Sequence, residues 1–172
     1  MPTRIAINGF GRIGRLAARR VLKDPAFELV AINDLADNEA LTYLFKYDSV
    51  HGSYPGDVRI ENDVLHVDGK AVRMTENRDI LASKWGEHGV DIVLECTGVF
   101  TNRAGNQPHF DAGAKKVIIS APAKEPDVTI VLGVNHEKYD PASHHLISNA
   151  SCTTNCVAPP LKALDDAFGV AF

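Results

Sequence analysis

Three stretches of this 172-residue chain hold residues of the kind that do chemistry. The first is Ser148-Asn149-Ala150-Ser151-Cys152-Thr153-Thr154-Asn155-Cys156. It follows the apolar segment His145-Leu146-Ile147 and leads into Val157, Leu161, Leu164 and Phe168 at helical spacing. The pattern predicts a strand giving way to a helix at Cys152, with Ser151 as N-cap and Thr153 and Thr154 in the first turn. Unpaired amides and the positive end of the helix dipole favour a thiolate there, and they suit an oxyanion or a phosphate equally. The competing reading of Cys152 is a small buried apolar residue. Local sequence leaves both open.

The second stretch is Gly9-Phe10-Gly11-Arg12-Ile13-Gly14, between the apolar run Ile5-Ala6-Ile7 and a series at helical spacing, Leu16, Arg19, Val21 and Leu22. A GxGxxG between a strand and a helix is a dinucleotide fingerprint. Gly9 permits the tight turn, Gly11 lets backbone approach a pyrophosphate, and Gly14 lets the helix pack closely on the strand. Asp34 closes the next apolar run, Phe27 to Asn33, where an acid can accept hydrogen bonds from both ribose hydroxyls and repel a 2′-phosphate. NAD is therefore expected over NADP. The alternative role for Asp34 is a helix cap for the segment starting near Asp37. The third stretch is Glu95-Cys96-Thr97-Gly98-Val99-Phe100-Thr101, where a buried strand, Asp91 to Glu95, ends in small polar residues as ligand crevices of parallel sheets do.

The remaining elements must position these groups. Ala40 to Phe45 reads as helix and 46–55 as loop. Residues 57–75 break into three short alternating runs, with Asp68-Gly69 a strong hairpin signal between the last two. Arg78 follows as a loop cation, placed against an adenine ring or solvated. Gly105, Asn106 and Pro108 predict that any helix in 103–112 is short and starts near Pro108. Lys116 to Ser120 and Val128 to Leu132 are further strands. The sum is an α/β, doubly wound, mostly parallel sheet with a small antiparallel excursion. Domain boundaries are expected at 1–150 for a nucleotide-binding domain and 151–172 for the first helix of a second, truncated domain.

Composition narrows the function classes. The formal charge is −4, and no basic cluster argues for nucleic acid. No apolar run approaches membrane-spanning length, and Arg4 and Arg12 interrupt any N-terminal signal-like run. Three cysteines without a CxxC argue against a disulfide framework and against structural zinc. His144 and His145 are adjacent and would point to opposite faces of a strand, a poor chelate. The expected compartment is reducing and cytoplasmic.

The glycine loop with Ile7-Asn8 before it and Arg15 after it, Asn33-Asp34, Lys46-Tyr47-Asp48-Ser49-Val50-His51-Gly52, Glu95 to Thr101, Ser120-Ala121-Pro122 and the cysteine stretch together resemble NAD-dependent, phosphorylating glyceraldehyde-3-phosphate dehydrogenase along essentially the whole chain. The resemblance implies a Rossmann-type domain and a homotetramer. It also implies a reaction in which glyceraldehyde 3-phosphate, NAD and inorganic phosphate give 1,3-bisphosphoglycerate and NADH through a cysteine thioester. Cys152 is then the nucleophile, Ser151 and Thr153 hold substrate or attacking phosphate, and the Cys152 amide stabilises the oxyanion. Asn8, Gly9, Gly11, Arg12, Ile13 and Gly14 would meet the cofactor pyrophosphate and Asp34 the adenosine ribose. Arg78 would lie near the adenine, and Thr97 and Ser120 would line the nicotinamide end.

Two departures stand against that pattern. Residues 104–110 replace what is usually a better helix former, and the thiol-activating histidine of the family belongs on a strand beyond Phe172. Erythrose-4-phosphate dehydrogenase, a catalytically incompetent NAD-binding fragment, and a thiol redox sensor built on Cys152 and Cys156 are the competing readings. Cys156 and Cys96 are otherwise expected as packing residues.

Overall fold

Short apolar runs bounded by turn residues become the strands of one nine-stranded sheet. The computed structural model describes residues 1–170, so the last two positions of the expected 151–172 segment lie outside the described residues. In chain order the elements are β1 (Thr3–Asn8), α1 (Arg12–Lys23), β2 (Phe27–Asn33), α2 (Asn38–Lys46), β3 (Val58–Glu61), β4 (Val64–Val67) and β5 (Lys70–Thr75). A 3-10 turn (Ile80–Ser83) precedes β6 (Ile92–Glu95), α3 (Arg103–Asp111), β7 (Lys116–Ile119), β8 (Val128–Thr129), β9 (Leu146–Ser148) and α4 (Cys152–Phe168).

The strand order is β3-β4-β5-β2-β1-β6-β7-β9-β8. Every pair from β5 to β8 is parallel, and only the β3-β4-β5 excursion is antiparallel. Asp68 and Gly69 both take left-handed φ (50° and 80°), as the two-residue β4-β5 turn requires. Alternation along β1 feeds two cores: Ile5 and Ile7 pack with Phe10, Phe45 and Leu65, whereas Ala6 packs on the other face with Trp85, Val93 and Val117. The chain leaves β1 toward β2 on one side and returns to β6 on the other. That reversal opens a crevice at the carboxyl ends of β1 and β6.

Parallel register lays one row of residues across the sheet beneath this crevice. Thr75, Asn33, Asn8, Glu95, Ile119 and Ser148 are successive partners from β5 to β9. Asn8, Asn33, Glu95 and Ser148 in that row are all buried.

The structure departs from expectation in two places. Helix α3 begins at Arg103 rather than near Pro108, because the Asn102 side chain accepts from Gly105 N–H at 2.7 Å and caps it. The buried Asn106 amide reinforces that turn by donating to the Phe100 and Asn102 carbonyls at 2.9 and 2.8 Å. Strand β8 stops after Thr129 rather than reaching Leu132. The amide of Ile130 still reaches Ser148 O, but Val131 N–H turns to the Asn135 side chain at 2.8 Å.

Candidate functional site

The glycine loop is fixed from below. Phe10 is fully buried and stacks on Phe45 at 5.8 Å, so the residue between the first two glycines anchors the loop in the core. Arg15 donates to the Phe10 carbonyl at 3.0 Å, and burial holds its guanidinium below its ordinary pKa. The three glycines differ in what surrounds them. A Cβ on Gly14 would lie 2.1 Å from Gly9 O, and one on Gly9, at φ +91°, would lie 2.6 Å from Thr97 N. A Cβ on Gly11 would meet nothing within 4 Å. Protein therefore fills the space at Gly9 and Gly14, while at Gly11 it leaves a gap.

That gap belongs to a cleft of about 500 Å³. Asn8, Gly9, Gly11, Asp34, Arg78 and Thr97 line it, together with Asn33, Leu35, Asn77, Ile80, Cys96, Val99 and Phe100. Asp34 does not cap α2; Asp37 does, accepting from Ala40 N–H at 2.7 Å. One carboxylate oxygen of Asp34 accepts from Phe10 N–H at 2.5 Å and the other from Ala36 N–H at 3.0 Å. Each oxygen retains a lone pair, so the acid both tethers the glycine loop and can still receive two hydroxyls. Arg78 is exposed, and Leu35, Ile80, Val99 and Phe100 give the cleft apolar walls. A planar ring can lie against such walls while its sugar reaches Asp34.

Arg12 and Ile13 open α1 and are exposed, but their side chains stand outside the lining of the cleft, and Gly14 lies buried beneath it. Ser120 is half-buried behind the wall, where it contacts the Cys96 thiol. Burial pushes that thiol up to about 11, which fits Cys96 as a packing residue at the strand end.

The cysteine turn folds as the sequence predicts. Beyond β9, Ala150 adopts φ +57°, and Ser151 caps α4 by accepting from Thr154 N–H at 2.9 Å. The Asn155 amide ties the turn down by donating to Asn149 O at 2.7 Å and Ser151 O at 2.9 Å. Cys152 is thus the first residue of a seventeen-residue helix and is exposed in this chain. Thr153 is exposed and Ser151 half-buried beside it. Cys156, one turn further along, is also exposed in this chain. The turn leaves the same carboxyl edge of the sheet as the cleft, although none of Ser151, Cys152 and Thr153 lines it.

Residues 3–103 match the family model described as glyceraldehyde 3-phosphate dehydrogenase, NAD binding domain. The chain belongs to this family. Its cofactor is NAD, and the gap over Gly11, the spare lone pairs of Asp34 and the apolar walls fit a dinucleotide. The chain is 55% identical over 170 residues to glyceraldehyde-3-phosphate dehydrogenase of Geobacillus stearothermophilus, covering 99% of this chain and 51% of that protein. It is 54% identical, with the same coverage, to glyceraldehyde-3-phosphate dehydrogenase 1 of Bacillus subtilis (strain 168). The Streptomyces coelicolor glyceraldehyde-3-phosphate dehydrogenase is 53% identical over 171 residues, again 99% of this chain and 51% of the relative. The chain spans about half the length of the relatives it matches.

The sequence alone assigned no role to Asn33, Asn77 and Leu35, which line the cleft, or to Glu95, which underlies it. Glu95 left a signal: it is the one acid ending the apolar run Ile92-Val93-Leu94. No helix among the described residues is long and apolar enough to cross a membrane.

Proposed function

We propose that this chain is the cofactor-binding half of an enzyme that oxidises glyceraldehyde 3-phosphate to 1,3-bisphosphoglycerate with NAD and inorganic phosphate. The observation that carries the reading is an exposed cysteine opening a capped helix on the same sheet edge as a dinucleotide cleft. Bound NAD supplies the hydride acceptor. Asn8, Gly9 and Gly11, with the amides of Arg12 and Ile13 at the start of α1, receive its pyrophosphate, and Gly14 lets α1 sit close enough to do so. Asp34 accepts the ribose hydroxyls, Arg78 covers the adenine, and Thr97 and Ser120 border the nicotinamide end.

Cys152 attacks the aldehyde carbon through its sulfur, and loss of hydride leaves a thioester on that sulfur. Phosphate oxygen then attacks the acyl carbon, the carbon–sulfur bond breaks, and the thiolate is regenerated. The Cys152 amide faces the developing oxyanion, while Ser151 and Thr153 hold the substrate or the attacking phosphate. The segment from 151 onward is the first helix of a second, catalytic domain. In support, α4 has no buried residue among those described, and Val157, Leu161, Leu164 and Phe168 are exposed along it.

The family resemblance extends the proposal to a homotetramer, and three free thiols fit a reducing cytoplasm. In the full-length protein, Cys152→Ser is expected to abolish turnover of glyceraldehyde 3-phosphate while leaving NAD affinity unchanged; retained turnover refutes the assignment. Side-by-side kinetics with erythrose 4-phosphate decide between the two aldehydes.

A further inference from the structure

Glu95 ends β6 with only 1% of its surface exposed, directly beneath the cleft, and the mechanism above uses none of its atoms. Four donors converge on its two oxygens. One oxygen accepts from Thr97 N–H at 2.8 Å and from the Thr97 hydroxyl. The other accepts from the Asn8 side-chain amide at 2.6 Å and lies 3.0 Å from His109 Nε2. The far side of the imidazole sets the polarity of that last contact. The Trp85 indole N–H can only donate, and it points at His109 Nδ1 across 3.1 Å. Nδ1 is therefore the acceptor, and Nε2 carries the proton that Glu95 receives.

The network continues beneath the cleft floor. Asn8 Oδ1 accepts from Asn33 Nδ2 at 2.8 Å, and the Asn33 amide binds both backbone groups of Asn77, at 2.9 and 2.8 Å. A carboxylate buried this completely is costly unless every lone pair is met, and an apolar residue there would serve packing as well. What Glu95 adds is placement. Thr97 and Asn8 both line the cleft, and the space between their strands is too tight for a Cβ at Gly9.

We propose that Glu95 and His109 are positioning residues of the cofactor cleft: Glu95 clamps Thr97 and Asn8 in the register that receives the dinucleotide, and His109, oriented by Trp85, holds Glu95. The inference rests on the cleft being the NAD site, so NAD binding by the unaltered protein is measured first. Failure there removes both readings.

His109→Leu keeps much of the side-chain volume and deletes the donor, whereas His109→Gln carries an amide N–H that can reach Glu95. Calorimetry with NAD is expected to show affinity lowered about tenfold or more in His109→Leu, the loss of one hydrogen bond to a charged group. Affinity in His109→Gln is expected to recover to near that of the unaltered protein. A folded His109→Leu protein that binds NAD within about twofold of the unaltered one, one hydrogen bond being worth far more than that ratio, overturns the inference alone.

Should His109→Leu not fold, the unaltered protein still decides. Trp85 is its single tryptophan and gives one indole N–H resonance. That resonance and the His109 Nε2–H signal are expected to shift with NAD at the dissociation constant seen by calorimetry. Both signals unmoved at saturation overturn the proposal.

Discussion

Replacing Gly11 by alanine separates folding from cofactor binding in one residue. Gly11 is the N-cap of α1 with φ −71°, a conformation open to any residue, and its missing Cβ would touch nothing within 4 Å. Alanine is a poorer cap than glycine by roughly 0.5–1 kcal/mol, but it also reduces unfolded-state freedom by about 0.4–1 kcal/mol. The two terms nearly cancel, so the melting temperature is expected to stay within about 2 °C. Binding is another matter, because the added methyl projects into the space a pyrophosphate must enter. It holds phosphate oxygens at van der Waals distance, beyond the ~2.9 Å of an amide hydrogen bond. Losing one charge-assisted bond of about 1.5–3 kcal/mol lowers affinity roughly 10- to 100-fold. Gly14→Ala is the counterpart: its Cβ, 2.1 Å from Gly9 O and 3.2 Å from Ile7 Cγ2, pushes α1 off β1. Overpacking of this kind costs about 1–3 kcal/mol or more, several degrees of melting temperature. Calorimetry with NAD and a thermal melt on both variants test the argument. Normal NAD affinity in Gly11→Ala, or a Gly14→Ala melt unchanged from the unaltered protein, refutes it.

Thiol accessibility gives a second test. Iodoacetamide at neutral pH is expected to label Cys152 and Cys156, which are exposed, and to spare Cys96, whose burial pushes it up to about 11; peptide mass mapping with early Cys96 labelling would contradict this. The acid limb of stability provides a third. Asp91 is held below its ordinary pKa by hydrogen bonds from Lys115 and the Arg4 amide. Because the folded value is the lower one, its contribution is present above the ordinary carboxylate pKa near 4 and is lost as pH falls through the folded value. Asp91→Asn should therefore lower stability at pH 7 by less than about 1 kcal/mol, since the Lys115 pair is exposed. Denaturant melts of the two proteins should converge as pH falls through the folded value, since below it the carboxylate is protonated in both states; a gap that stays constant as the pH falls from 7 into the acid limb contradicts the assignment.

Much of the framework was legible because it rests on local rules. Strand β2 occupies the residues its apolar run predicts, Asp68-Gly69 turns as its backbone demands, and Ser151 caps α4 by its own hydroxyl. The cleft side of the site was half legible. The fingerprint spacing marks Gly9, Gly11 and Gly14, although only Gly14 answers to contacts within one βα unit, Gly9 O and the Ile7 side chain; Gly9 meets Thr97 beyond β6, and Gly11 meets nothing. Glu95 was given no role because only Thr97 among its partners is local: Asn8 is a register neighbour across the sheet, and His109 arrives on α3. The start of α3 was misjudged for a related reason. Propensity weighs Gly105 and Pro108 against a helix, but the Asn102 cap and the buried Asn106 amide outweigh it. Exposure of Cys152 and Cys156 was equally out of reach, since an apolar series such as Val157, Leu161 and Leu164 reads the same whether or not anything covers it.

The most direct measurement is a calorimetric titration of the protein with NAD and, in parallel, with NADP. A carboxylate at Asp34 that receives ribose hydroxyls repels a 2′-phosphate. The expected result is saturable 1:1 binding of NAD, with NADP weaker by about tenfold or more, as roughly 1.4 kcal/mol of repulsion requires. Equal affinity for the two, or no saturable binding of NAD, would contradict the reading of the cleft from which the rest follows.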